Sequence, residues 1–169
     1  MKYKKVLVLI IIVFVLVAVA VNCFGPSIRL RLALSDYSNI VSDGIPEDLS
    51  LTIYYVSPYI LTRHPWRIED LVKATDVKKI TIDSEELAPY LELLRKLDAS
   101  ALQPVNEETY LNARLYYVFE TDDGKLLEVA INGWSGNAFV NGVEIEPSSV
   151  LYDIIIPFLS EEDRNVLGI

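Results

Sequence analysis

Cysteine and histidine are almost absent from this chain. Among its 169 residues there is one cysteine, Cys23, and one histidine, His64. The shortage of cysteine excludes a fold held by disulfides, so stability has to come from a hydrophobic core. It also argues against a zinc centre, because zinc is held mainly by cysteine and histidine. We therefore predict no metal and no cofactor.

The chain also has no excess of positive charge. The chain has 24 acidic residues against 15 lysines and arginines, with a net charge of −9. All 24 acidic residues and 12 of the basic ones lie beyond Phe24, so that part carries a net charge of about −12. This balance argues against nucleic acid as a partner. If charge guides association, the partner is a basic protein or peptide.

The longest feature that is present is an apolar run, Val6–Val21, placed directly behind three lysines. A helix needs roughly 20 apolar residues to cross a bilayer, and residues 22–24 can extend this run into the interface. We therefore predict a signal anchor, a single transmembrane helix over residues 6–24, ended by Gly25 and Pro26.

The flanking charges predict the orientation of this anchor. Lysines favour the cytoplasmic side, which leaves residues 1–5 in the cytoplasm and the remaining chain outside the cell membrane. Two other fates stay open. Ala18-Val19-Ala20 fits a signal-peptidase site, which would release a secreted protein. Cys23 stands where a lipoprotein cysteine would stand, although Asn22 occupies a place where such signals have glycine, alanine or serine.

The exported part divides into a linker and one domain. Residues 25–48 are interpreted as a linker or entry segment. Within it, four apolar residues alternate and indicate a short strand: Ile28, Leu30, Leu32 and Leu34. Residues 49–169 form the predicted extracytoplasmic domain, a length that suits one ordinary domain.

Periodicity in this domain predicts an α+β fold. The predicted strands are 49–56, 77–82, 113–121, 125–132, 138–140 and 143–145, and the predicted helices are 66–74, 85–97 and one that opens at 147–149. Asp122-Asp123-Gly124 and Asn141-Gly142 are typical hairpin turns. We expect one largely antiparallel sheet covered on one face by helices.

Three segments carry a resemblance: ARLYYVFETDDGKLLEV from Ala113, AFVNGVEIE from Ala138 and LYDIIIPFL from Leu151. They resemble small exported or membrane-anchored domains of unknown function in Gram-positive bacteria. The shared motifs are hairpin and helix signals, so the resemblance implies a location and a fold and brings no functional residues with it.

Candidate chemistry is sparse, and we predict no catalytic residue. His64 lies beside Pro65 in a predicted loop without a nucleophile motif, and a lone loop histidine is usually solvated. Asp122 and Asp123 are explained by turn chemistry better than by calcium. The carboxylates of Glu144 and Glu146 share one strand face, which indicates a solvated face rather than a glycosidase pair.

The two tryptophans, Trp66 and Trp134, are candidate recognition anchors, because exposed aromatic residues in loops often carry binding energy. The alternative is that each folds back over the edge of the core. The sequence predicts a membrane-tethered extracytoplasmic module that binds or senses an unknown ligand without catalysis. An inhibitor or immunity-type protein acting on an exported enzyme, and a small carboxylate-dependent hydrolase, are the alternatives.

Overall fold

The computed structural model describes residues 11, 14, 25–98, 100–105, 109–133 and 135–169. Among these residues there is no helix of the length and apolarity that a bilayer crossing requires. The predicted anchor over residues 6–24 lies outside the described part, apart from Ile11 and Phe14. The fold below is therefore that of the chain from Gly25 onward.

A six-stranded antiparallel sheet organises the protein, with the strand order β2-β1-β3-β4-β5-β6. The strands are β1 Ser50–Tyr55, β2 Lys78–Ile82, β3 Ala113–Thr121, β4 Gly124–Asn132, β5 Ala138–Val140 and β6 Val143–Ile145. The α+β class and the antiparallel sheet are confirmed. The long strands β3 and β4 lie at the centre, because each is rich in residues that are buried on both faces.

Both predicted hairpins are present. Asn141 and Gly142 have φ angles of 46° and 73°, as a type I′ turn requires, and they join β5 to β6. The turn between β3 and β4 differs from the predicted three-residue form. Thr121 pairs with Gly124, so only Asp122 and Asp123 remain in the loop.

The helices are short and follow the predicted order. After helix α1, residues 25–42, they are α2 Ile68–Lys73, α3 Ser84–Leu87, α4 Leu91–Leu94, α5 Val150–Asp153 and α6 Glu161–Leu167. The 3-10 turn Ala88–Tyr90 joins α3 to α4, because Pro89 lacks the N–H that a regular helix would use. Helix α6 was not predicted, although Ser160 and Asp163 form a capping box at its start and Gly168 ends it at φ 76°.

The prediction for residues 25–48 is wrong in its main part. Residues 25–42 form helix α1, so Gly25 and Pro26 lie within a helix and no strand forms at 28–34. Four α1 residues at helical spacing are almost fully buried in the main core: Leu30, Leu34, Tyr37 and Val41. The segment interpreted as a linker is therefore part of the folded domain.

The sheet is covered on both faces, although unequally. Leu115, Tyr117 and Phe119 of β3 point into the main core with α1 and α5. The alternate residues Tyr116 and Val118 belong to a second cluster that contains Leu71 of α2. The prediction that helices cover only one face of the sheet is therefore wrong for α2, which packs on the opposite face.

One edge of the sheet is covered by a further segment, and the strand at the other edge, β2, carries an ion pair. Residues 103–105 lie along β6, where the N–H of Val105 donates to the carbonyl oxygen of Glu144 at 3.1 Å. Pro104 pairs with Ile145. At the other edge, Lys78 of β2 donates to the carboxylate of Asp163 at 2.8 Å. That hydrogen bond holds the pKa of Asp163 well below its usual range.

Replacing Gly142 by valine should destabilise the domain by about 1–3 kcal/mol, because a β-branched residue is strained at positive φ. Urea unfolding of the chain from Gly25 onward measures this difference. Gly142→Asn is the matched control, since asparagine tolerates the left-handed region, and its effect should be clearly smaller. Equal losses for the two variants would contradict the turn geometry.

Candidate recognition surfaces

The face of the sheet that α2 covers incompletely forms an open groove of about 340 Å³. Tyr54 of β1 and Tyr116 of β3 form its floor, because the two strands pair these residues side by side. Their rings stack with centres 5.9 Å apart and an interplanar angle of 30°. Val72 of α2 forms one wall and is 39% exposed. We call this concavity the tyrosine groove.

Charged groups fix the floor of the tyrosine groove. The Tyr116 hydroxyl donates to Glu128 at 3.0 Å and accepts from the Lys125 ammonium at 3.1 Å. Lys125 also donates to Glu128 at 3.0 Å, which closes a three-membered network. Burial raises the pKa of Tyr116 to about 12, and the hydrogen bond to Tyr116 raises the pKa of Lys125. Tyr116 is therefore neutral and Lys125 charged at physiological pH.

A second surface lies at the end of the sheet where β1 and β4 finish and β3 begins, which we call the loop end. The loop 57–67 lies here and exposes Tyr59, Ile60 and Leu61, the last at 90%. Tyr110 lines one hollow with His64 and Pro65 of this loop and is 91% exposed. Exposed apolar residues that cluster in this way commonly mark an interaction site.

Arg114 holds the loop 57–67 against the sheet. It lies at a bulge in β3 and is 97% buried, and its guanidinium donates to the Ile60 carbonyl at 3.3 Å and to the Thr62 hydroxyl at 3.1 Å. No carboxylate pairs with it among the described residues, and its Nε has no hydrogen-bond partner there. Burial lowers the pKa of this guanidinium. A buried arginine of this kind fixes loop geometry through neutral acceptors.

Trp66 is closer to a residue that folds back over the edge of the core than to an exposed recognition anchor. It is half-buried, packs against the second core cluster, and its ring centre lies 5.1 Å from the Arg114 guanidinium carbon. Trp134 and Cys23 lie outside the described residues. Their candidate roles, recognition for Trp134 and lipid attachment for Cys23, stay predictions.

Glu144 is buried, against the expectation of a solvated face, whereas Glu146 is exposed. The Glu144 carboxylate accepts from the backbone N–H and the hydroxyl of Thr109, the latter at 2.7 Å, and from the Asn137 amide at 2.7 Å. These donors are neutral, so they satisfy the buried charge without an ion pair. Glu144 joins two loops, and the two carboxylates do not converge on a cleft.

The other candidate residues remain apart. His64 is exposed in an open hollow of about 500 Å³ that also contains Arg67, Asp70 and Tyr110. Asp70 accepts from the backbone N–H of Arg67 at 3.0 Å and thereby caps α2, so it does not orient the histidine. Within the described ranges, no three metal-ligating side chains are grouped. Asp122 and Asp123 occupy an exposed turn.

Comparison of the chain with family models, with curated proteins and with solved structures found no match in any of the three.

Proposed function

We propose that the chain is a membrane-tethered extracytoplasmic module that binds or senses a ligand without catalysis. The tether is the apolar run within residues 6–24, and its lysine flank supports a cytoplasmic N-terminus. The domain from Gly25 onward is then the part that meets the ligand outside the cell membrane.

The tyrosine groove is the observation that carries the binding proposal. Binding sites are concave, combine apolar and aromatic surface, and place a few polar groups that fix orientation. The groove has the stacked pair Tyr54 and Tyr116 on its floor and Lys125 and Glu128 in its wall. Because the network around Tyr116 is already formed, a ligand would not have to order it.

The charges favour a basic protein or peptide as the ligand. Three glutamates line the groove against two lysines: Glu69, Glu120 and Glu128 against Lys73 and Lys125. The whole exported part is also strongly acidic. An extended basic segment would meet opposite charge during approach and an aromatic floor on contact.

A photo-crosslinking amino acid at Val72, in the full chain expressed in cells, tests this proposal. We expect a covalent adduct from position 72 and none from the matched exposed position Asn165 on α6. Protease added outside intact protoplasts should digest the adduct. Equal crosslinking at both positions would contradict the groove as the binding site, and protection from protease would contradict the extracytoplasmic placement.

A further inference from the structure

Exposed apolar side chains are concentrated at the loop end, and hydrogen bonds from Arg114 hold the loop that carries two of them. Leu61 and Tyr110 come from different segments and are 90% and 91% exposed, and Tyr59 is 72% exposed. Arg114 fixes the backbone of the loop at Ile60 and the side chain of Thr62. A loop whose backbone is already fixed loses less conformational entropy when a surface covers it.

The chain enters the domain at the same end of the sheet. Ser27 and Arg31 of α1 line a pocket with Gln103 and Pro104, and Pro104 pairs with Ile145 at the end of β6. Further hydrogen bonds connect the segments along this end of the sheet, from β6 to the loop 57–67. Thr109 bonds to Glu144, the Asn132 amide donates to the Tyr110 carbonyl, and the Trp66 N–H donates to the Asn112 amide oxygen.

These contacts place the start of α1 and the loop 57–67 along one end of the sheet. The start of α1 lies near β6 and the loop follows β1, and these two strands are four strand spacings apart, about 19 Å. Only residues 22–24 lie between the end of the apolar run and the described helix, and three residues span at most about 11 Å. An apolar run inside a bilayer would therefore keep the loop end close to the surface of that bilayer.

The segments that form the loop end differ in charge from those at the opposite end, although Asp70, Glu146, Glu162 and Asp163 also lie toward the loop end. Residues 49–68 and 109–119 contain no acidic residue, and the first of these segments carries Arg63 and Arg67. Nine acidic residues lie in the segments at the opposite end of the sheet: Asp43, Glu47, Asp48, Asp83, Glu85, Glu86, Glu120, Asp122 and Asp123. Contacts join these segments, since Ser84 bonds to the Glu47 carbonyl and the Asp122 N–H bonds to Asp48.

We propose that the loop end docks on the surface of the bilayer that holds the anchor. Leu61, Tyr59 and Tyr110 enter the interface, where tyrosine rings are favoured, and Arg63 and Arg67 face the phosphates of the headgroups. The acidic end then points away from the anionic lipid that would repel it. This inference rests on the tether in the proposed function and is independent of the ligand of the tyrosine groove.

Fluorescence of a single attached probe tests the docking. The full chain carrying Cys23→Ser and Leu61→Cys is labelled with an environment-sensitive dye and reconstituted in vesicles of phosphatidylcholine and phosphatidylglycerol. Asp123→Cys, at the exposed turn of the opposite end, is the matched control. We expect brominated lipid to quench the dye at position 61 and not at 123, and iodide to quench it several-fold less at 61. A dye at Tyr110→Cys should behave like the dye at position 61.

Flotation of the same vesicles separates failure of the tether from failure of the docking. A chain that does not float with lipid would contradict both. A chain that floats while positions 61 and 123 are equally open to iodide would contradict the docking alone. Protection from iodide without quenching by brominated lipid would also overturn it, because a protein surface would then cover the loop.

Discussion

A chain that begins at Leu49 should not fold cooperatively, whereas a chain that begins at Gly25 should. Helix α1 places Leu30, Leu34 and Tyr37 in the main core, and the Tyr37 hydroxyl donates to the Leu94 carbonyl at 3.3 Å. Removal of the helix would expose the apolar face of the sheet against which it packs. Circular dichroism during thermal unfolding measures the difference, and a cooperative transition in the shorter chain would contradict the role of α1.

Two leucines of α1 supply a matched pair of point variants in the longer chain. Leu34 is fully buried, and Leu34→Ala should lower the free energy of unfolding by about 2–5 kcal/mol. Leu32 is 61% exposed on the same helix, and Leu32→Ala should change it by less than about 0.5 kcal/mol. Similar values for the two variants would show that α1 does not pack as described.

Glu144→Gln should destabilise the domain by about 2–3 kcal/mol. The carboxylate accepts from the Thr109 N–H, the Thr109 hydroxyl and the Asn137 amide. A glutamine keeps one acceptor oxygen and turns an amide donor toward groups that are themselves donors, which leaves buried hydrogen bonds unmade. Urea unfolding of the chain from Gly25 onward gives the value.

Glu146→Gln is the control for this change, because Glu146 lies two residues away on the exposed side. Its effect should stay within about 0.5 kcal/mol. If Glu144→Gln were equally mild, the buried network around Glu144 would not contribute to stability. A large effect of both variants would point instead to a general need for negative charge at this edge.

The parts of the fold that local chemistry determines could be predicted from the sequence. The β5–β6 hairpin has the predicted strands because Asn141-Gly142 can form one kind of tight turn, whatever the rest of the chain does. The placement of β1 between β2 and β3 could not be predicted from local chemistry. It depends on pairs such as Tyr54 with Tyr116, which lie 62 residues apart, and no local pattern reveals such pairs.

The error at α1 has a specific cause. Ile28, Leu30, Leu32 and Leu34 alternate as a strand would, and Gly25-Pro26 is a common end signal for helices. The helical pattern becomes visible only when the window is extended to Tyr37 and Val41, which continue the buried stripe. Burial against the sheet then outweighs the local preference of the first turn.

The candidate surfaces were harder to predict than the fold. The tyrosine groove exists because β1 and β3 align Tyr54 with Tyr116 and because α2 crosses to the second face. The burial of Arg114 at a bulge has no signature in a strand that is apolar almost throughout. One signal was present in the sequence and was missed: residues 49–68 lack acidic side chains in a chain that is otherwise rich in them.

The two edges of the sheet restrict how this protein can associate. An edge strand with free N–H and C=O groups can accept another strand, which leads to dimers, peptide capture or fibres. Beside β6 that position is already filled by residues 103–105, and Pro104 has no N–H to offer a further strand. At the other edge, β2 carries Lys78, which pairs with Asp163, and the exposed Lys79. Charged side chains on an edge strand, lysine above all, oppose the addition of another strand. Growth of the sheet by strand addition is therefore disfavoured at both sides, so copies of this domain at high concentration have little tendency to join edge to edge.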